Sequence, residues 1–252
     1  MASNYSPIEF PILGELFKYG YLGVDLFFII SGFVILLSIK EKSLFKFIKS
    51  RIIRLYPAYW VSLTITFLVI IFWGAPRFNA TISQYLINAT MLNKFIGIKH
   101  IDGVYWSLYI ELKFYILIAI YLRINKFKAI NIDNIIYSWI LLTISHLAFE
   151  HLYIFKILHA IFILSYSPYF IAGMLFYKIY KEGINIKYIT ALISSYILAI
   201  YIATDKITYM TEKYTSEFNP SLIIIYISLF YTMMLLVSMK RLTKINSPIL
   251  LK

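Results

Sequence analysis

Cysteine is absent from this 252-residue chain, and charged residues are scarce, at 14% of the sequence. Without cysteine, disulfides, thiolate nucleophiles and cysteine metal sites are excluded. A soluble globular domain carries about a quarter charged and about half apolar residues, whereas this chain is 61% hydrophobic and 19% aromatic. The composition therefore excludes an ordinary soluble domain and indicates an integral membrane protein.

Apolar segments recur along the chain at a length that suits a membrane-spanning helix. Because a helix rises about 1.5 Å per residue, about 20 residues cross about 30 Å of hydrocarbon. A β-barrel would instead need short segments of alternating polarity. We therefore predict an all-α fold, a polytopic transmembrane helix bundle of about seven spans, at residues 22–39, 56–74, 104–122, 135–149, 155–177, 188–204 and 221–239.

The polar segments between these spans do not divide the chain into separate domains. The longest are residues 40–55, 75–103 and 205–220, which carry charges and turn formers and are predicted to be loops. There is no internal repeat, low-complexity run or linker. We therefore predict a single membrane domain over residues 1–252.

The net charge of +12 could suggest a nucleic-acid partner, but the basic residues are distributed by loop rather than gathered on one face. If the first span runs from outside to inside, the inner loops hold sixteen Lys and Arg residues and the outer loops seven. The positive-inside rule then places the N-terminus outside and the C-terminus in the cytoplasm. The predicted partner is the lipid bilayer of the cell membrane, not nucleic acid.

Three motifs occur in order along the chain. Residues 23–33 read GVDLFFIISGF, residues 47–60 read FIKSRIIRLYPAYW, and residues 106–115 read WSLYIELKFY, with a weaker fourth at residues 169–175, YFIAGML. Together they resemble the acyltransferase-3 family of integral-membrane O-acyltransferases, which acetylate bacterial surface polysaccharides. One motif alone would be modest support, but three in order at compatible distances are specific.

The resemblance implies an O-acyltransferase that moves an acyl group, most simply acetyl, from cytoplasmic acetyl-CoA to a hydroxyl of a saccharide or lipid-linked glycan, such as lipopolysaccharide O-antigen. It implies no bound cofactor and leaves the oligomeric state open. Family members open with a further helix that carries an Arg and a catalytic His, and they continue beyond the last span here. The sequence is therefore expected to be a fragment of a longer domain and to be inactive by itself.

Glu111 is the most informative residue, because a carboxylate within a spanning helix is costly and usually functional. Ser107, Glu111, Phe114 and Tyr115 share one helical face by their spacing of three and four residues. We predict Glu111 to be catalytic and Trp106, Ser107 and Tyr115 to contact the substrate. The alternative is a protonated Glu111 that bonds a neighbouring helix.

Asp25 begins the first span on its outer side. It is predicted to be catalytic by orienting an imidazole, as a carboxylate does in a triad. The alternative needs no chemistry, because an acid in the first turn of a helix interacts favourably with the helix dipole.

Arg51 and Arg54 are three residues apart, which places them on one helical face at the inner side. An arginine pair there could bind the phosphates of the acyl-CoA donor. The alternative is a topology-setting charge against anionic lipid headgroups.

The remaining candidates are weaker. None of the four histidines has the spacing of a helical zinc pair, so no metal site is predicted. His100, in the outer loop before Glu111, is considered as a substitute base or as a solvated loop residue. A different class of function also stays open, namely a non-catalytic relative or a transporter that uses its intramembrane acid for proton coupling; transporters often show two related halves, which are not found here.

Overall fold

The computed structural model describes residues 17–39, 43–125, 131–214 and 217–239. Within these ranges all regular structure is helical and there is no strand, which confirms the all-α prediction. Short 3₁₀ turns occur at Gly20–Leu22, Asn93–Ile96 and Gly103–Tyr105. The α-helices are α1 (Gly23–Ser38), α2 (Leu44–Trp73), α3 (Ile82–Ala89), α4 (Trp106–Ile124), α5 (Ile132–Ala148), α6 (Tyr153–Phe162), α7 (Ser167–Glu182), α8 (Ile186–Asp205), α9 (Ile207–Tyr214) and α10 (Pro220–Ser238).

Four segments of the described chain are helices long and apolar enough to cross a membrane, namely Gly20–Ser38, Leu44–Trp73, Ile186–Glu212 and Pro220–Ser238. A fifth is obtained if α6 and α7, which bend by 46° at their junction, are one broken span. The chain is thus a multi-pass membrane protein, but the predicted count of seven spans is not confirmed.

The other two predicted spans coincide with α4 and α5, which are not long and apolar enough to count as membrane-crossing helices, for different reasons. α4 has 19 residues but carries three charged side chains, Glu111, Lys113 and Arg123. α5 has only 17 residues. Charged residues are costly in the membrane, and a short helix does not cross it, so α4 and α5 are not identified as spans by length and hydropathy alone.

The predicted loop at residues 40–55 is wrong over most of its length, because α2 begins at Leu44 and continues through Pro57. Arg51 and Arg54 therefore lie on the same continuous helix as the apolar segment that follows them. At 30 residues, α2 is longer than the about 20 residues that a span needs. The predicted outer loops also contain helices, α3 and α9.

The chain divides into two compact units. The first combines residues 1–37 and 131–252, and α7 is its central helix, packed against α5, α8 and α10. α1 also packs on α7, where two glycines allow very close approach: a Cβ atom on Gly32 would lie 2.2 Å from the Phe170 carbonyl oxygen, and one on Gly173 would lie 2.0 Å from that of Ile29. The motifs at residues 23–33 and 169–175 therefore meet in this contact.

The second unit comprises residues 38–130 and is built from α2, α3 and α4. The Tyr59 hydroxyl donates a hydrogen bond to the Asn88 carbonyl at 2.6 Å, and Trp60 Nε1 donates one to the Ala89 carbonyl at 2.9 Å. These bonds attach the end of α3 to α2. That the whole chain acts as one membrane domain stays a prediction.

Candidate functional site

The functional side chains of the second unit lie on the buried face of α4. Ser107, Glu111, Phe114 and Tyr115 are all buried, as their spacing predicts, and Glu111 is only 1% exposed. Lys113 is directed away from this face, with its ammonium 5.3 Å from the centre of the Tyr109 ring. The buried face of α4 therefore presents a hydroxyl, a carboxyl and two aromatic rings.

Glu111 and Tyr115 form a hydrogen bond within α4. The Tyr115 hydroxyl donates to Glu111 Oε1 at 2.5 Å, over one helical turn. A buried carboxyl group is costly unless it is hydrogen-bonded, and this phenol supplies a donor. The bond fixes the orientation of the Glu111 side chain.

Arg51 lies beside Tyr115, and it is also buried, at 8% exposed. Its guanidinium carbon lies 5.4 Å from the centre of the Tyr115 ring. Nη2 donates to Ser38 Oγ at 2.6 Å and to Ser50 Oγ at 3.1 Å. Nε and Nη1 are buried and have no hydrogen-bond partner in the part of the chain that the structure describes.

A cavity of about 440 Å³ lies between the first half of α2 and the second half of α4. Its walls are mainly apolar, and its polar side chains include Arg51, Tyr115 and Arg123. Glu111 does not line the cavity, but its hydrogen-bond partner Tyr115 does. The two N–H groups of Arg51 that lack a partner are buried, so the Arg51 side chain must turn toward the cavity to bond an anion there.

Three other predicted site residues take no part in this cavity. Arg54 is exposed, although it is one turn from Arg51 on α2, and it is close enough to act electrostatically on Tyr115. Trp106 is half-buried at the start of α4. Ser107 donates to the Val104 carbonyl at 3.2 Å, a local bond at the helix start. The structure thus brings together Arg51, Tyr115 and Glu111.

Asp25 belongs to the first unit, where it lies in the first turn of α1 and is 9% exposed. The Tyr169 hydroxyl donates a hydrogen bond to its carboxylate, and Lys206 is close enough to attract it. Lys206 Nζ also lies 4.7 Å from the centre of the Tyr166 ring. Sequence reasoning missed Tyr169 and Lys206, because they reach Asp25 from α7 and from the end of α8.

His100 is not the solvated residue that was considered, because it is half-buried. Its Nδ1 lies 3.1 Å from Asn93 Nδ2, and its ring centre is 6.3 Å from that of Tyr109. Burial, and after it the positive charge of Lys94, lowers the pKa of His100, so its imidazole is neutral at neutral pH. His100 does not line the cavity.

Sequence reasoning also missed a histidine pair in the first unit. The ring centres of His146 and His159 are 4.8 Å apart, and His159 Nε2 lies 2.6 Å from Ser165 Oγ. The two histidines come from α5 and α6, so their sequence spacing carries no signal of a contact.

Comparisons with known proteins identify relatives. One is "Putative acetyltransferase ORF330" of Acidianus two-tailed virus, which is 27% identical over 146 residues, covering 55% of this chain and 44% of the relative. Another is "Nodulation protein 10" of Rhizobium leguminosarum bv. viciae, 31% identical over 123 residues, covering 40% of this chain and 33% of the relative. The matches thus span less than half of either relative, and no solved structure matches.

The sequence profile of a family described as an acyltransferase domain matches residues 3–252. This match confirms the resemblance carried by the three motifs. Because it covers nearly the whole sequence, the chain belongs to the acyltransferase-3 family.

Proposed function

We propose that the protein is an O-acyltransferase that moves an acyl group, acetyl in the simplest case, from a cytoplasmic acyl-CoA to a hydroxyl of a cell-surface saccharide. Membership of an acyltransferase family supports acyl transfer, and the name of one relative supports an acetyl donor. The multi-pass fold supports the lipid bilayer as the site of action.

The observation that carries the proposal is the state of Arg51. Two of its N–H groups are buried without a partner within the described residues, and the Arg51 side chain is part of the lining of the cavity between α2 and α4. A buried unsatisfied cation is costly unless a ligand completes its hydrogen bonds. The phosphate groups of an acyl-CoA are acceptors of suitable charge. Arg54, exposed one turn further on, would meet the same donor from the solvent side.

The chemistry needs a base that removes the proton of the acceptor hydroxyl and donors that stabilise the tetrahedral oxyanion. In this scheme Glu111, oriented by Tyr115, and Asp25, oriented by Tyr169, support the reacting groups. Trp106 and Ser107, at the start of α4, are assigned to the acceptor. In this scheme Arg51 and Arg54 bind the acyl donor, and the start of α4 binds the acceptor.

The test measures saccharide-linked acetyl groups in cells that carry the full-length gene or its Arg51→Gln or Glu111→Gln variant. We expect both variants to lose most acetylation. Lys49→Gln is a matched control, because Lys49 is exposed on the same helix and its loss also removes one positive charge. It should keep normal acetylation.

Folding and function are separated by the stability of the variants. Arg51→Gln loses the bonds from Nη2 to Ser38 and Ser50 but also removes two buried N–H groups without a partner in the described structure, so acetylation is compared at equal amounts of folded protein, measured by thermal unfolding. Normal acetylation by Arg51→Gln would contradict the donor site, and normal acetylation by Glu111→Gln would contradict the role of the acid. No acetylation by the wild type would favour a non-catalytic relative or a transporter.

A further inference from the structure

The cavity between α2 and α4 has a second arginine in its wall. Arg123 lies in the last turn of α4, is exposed, and lines the cavity together with Arg51 of α2. The donor site proposed above uses Arg51 and gives Arg123 no role. Both residues belong to the second unit. The wall of one cavity thus carries two cations, each from a different helix.

The two arginines lie at different depths in the cavity. α2 and α4 run antiparallel, because Tyr59 packs on Tyr105, just before α4, with ring centres 5.2 Å apart, while Arg51 packs on Tyr115. Arg123 is about two helical turns beyond Tyr115, which is about 12 Å along the helix axis. It therefore lies beside the start of α2. The predicted orientation places this end of the cavity at the cytoplasm.

The wall between the two arginines is apolar. It is formed by side chains of both helices, among them Ile48, Ile52, Ile116, Ala119 and Ile120. An apolar pocket with a few well-placed polar groups is typical of a site for a small organic ligand. Positive charge at two separate depths indicates a ligand with two anionic groups that are joined by a less polar part.

An acyl-CoA has this distribution of charge. It carries a pyrophosphate between the adenosine and the pantetheine arm, and a separate phosphate on the 3′-oxygen of the ribose. A thioester on a carrier protein has only the single phosphodiester of its phosphopantetheine. Because arginine binds phosphate through charge-assisted and often bidentate hydrogen bonds, one arginine can recognise each phosphate position of an acyl-CoA.

We propose that Arg123 binds the 3′-phosphate of the acyl-CoA donor, while Arg51, turned toward the cavity, binds the pyrophosphate. The proposal rests on the proposed function and names the part of the donor that each arginine recognises. From the end of α4 to its start, the residues assigned to the reaction follow in the order Arg123, Tyr115, Glu111 and Ser107. The pantetheine arm is then directed along α4 toward the acid and the acceptor residues.

Arg123 has two simpler explanations. A cation in the last turn of a helix interacts favourably with the helix dipole, and a cation at the inner surface of a membrane attracts anionic lipid headgroups. Neither effect depends on the structure of the donor. Removal of the 3′-phosphate from the ligand therefore separates recognition of the donor from both explanations.

The experiment measures the affinity of the full-length protein, purified in detergent, for acetyl-CoA and for 3′-dephospho-acetyl-CoA by isothermal titration calorimetry. We expect the wild type to bind acetyl-CoA about 10-fold more tightly or better, the usual effect of a hydrogen bond to a charged group. Arg123→Gln should bind both ligands equally, with the affinity of the wild type for the dephospho compound. Arg51→Gln should bind both more weakly and keep the preference.

Lys49→Gln is the matched control. It also removes one positive charge, but Lys49 is exposed on α2 and does not line the cavity. Both of its affinities should equal those of the wild type. Loss of the preference in Arg123→Gln alone would show that this side chain and the 3′-phosphate are coupled, because the two removals are then not additive.

The opposite results are equally distinct. A structural Arg123 predicts that Arg123→Gln lowers both affinities by the same factor and keeps the preference, which would overturn the proposal. Equal affinity of the wild type for both ligands would also overturn it, and would leave the donor site intact if Arg51→Gln still binds more weakly. Absence of any binding of acetyl-CoA by the wild type would overturn the donor site together with the role of Arg123.

Discussion

A carboxyl group removed from water needs a hydrogen-bond donor, and each candidate acid of this protein has a tyrosine hydroxyl. Glu111 accepts from Tyr115 in the same helix, and Asp25 accepts from Tyr169 on another helix. Tyr115 has a second contact, because its ring faces the guanidinium of Arg51. One residue thus joins the buried acid to the buried cation.

Replacing Tyr115 by phenylalanine should separate these two contacts. The ring beside Arg51 remains, but Glu111 loses the hydrogen bond from the Tyr115 hydroxyl, at a cost of about 1 kcal/mol in the free energy of unfolding. Saccharide acetylation should fall because the carboxyl group is no longer oriented. Thermal unfolding and acetylation in cells are the measurements, with Tyr153→Phe, at an exposed tyrosine, as the control. If Tyr115→Phe unfolded at the wild-type temperature and acetylated normally, the hydrogen bond from Tyr115 to Glu111 would matter for neither stability nor activity.

Local spacing predicts one of these pairs and not the other. Tyr115 follows Glu111 by four residues, so the sequence places both on one face of α4. The partners of Asp25 depend on how α1, α7 and the end of α8 pack, which no local pattern encodes. The contact of His159 with Ser165 likewise depends on the turn at Ile163, where an isoleucine gives no sign of a left-handed backbone.

At the scale of elements, the contact between α1 and α7 is set by backbone approach. Small residues at a contact between two membrane helices let the backbones approach closely, and the helices then gain packing contacts with one another. Gly32 and Gly173 provide the space, and the rings of Phe28 and Phe170 pack above them with centres 4.9 Å apart. This contact supports the end of the bundle that carries Asp25.

Gly173→Ala should therefore destabilise the protein. Its methyl group would lie 2.0 Å from the Ile29 carbonyl oxygen, so the helices must separate, and overpacking of this kind costs about 1–3 kcal/mol. The expected result is a lower thermal unfolding temperature in detergent. Gly20→Ala is the control, because nothing lies within 4 Å of a Cβ atom there. An unchanged unfolding temperature in Gly173→Ala would show that the contact is looser than described.

Apolar runs predict where helices exist better than where they begin, bend or end. The basic stretch before the second span is polar enough to suggest a loop, yet its residues form the first turns of α2. The run at residues 155–177 is mostly apolar, although Lys156, His159 and Pro168 interrupt it, and its hydropathy does not show that α6 ends at Phe162 and α7 begins at Ser167. In both cases side-chain polarity reports the environment of a segment, while the backbone conformation is set by packing.

At the scale of the molecule, composition and the three motifs are enough to predict an all-α membrane protein of this family. They cannot count the spans, because α4 and α5 differ from the other candidates by three charges and by a few residues of length. Hydropathy treats each helix alone, whereas a charged helix can be accommodated by the helices around it. The number of crossings is therefore a property of the assembled bundle.

Membrane orientation is the last feature that the sequence predicts, and the absence of cysteine makes it directly measurable. Asn79, after α2, should lie outside, and Lys181, near the end of α7, should lie in the cytoplasm, because the more basic loops stay inside. Both positions are exposed. Asn79→Cys should react with a membrane-impermeant maleimide in intact cells, and Lys181→Cys only after permeabilisation. The unaltered chain gives the background without any further substitution. The reverse labelling pattern would invert the orientation, and with it the assignment of the arginine site to the cytoplasmic donor.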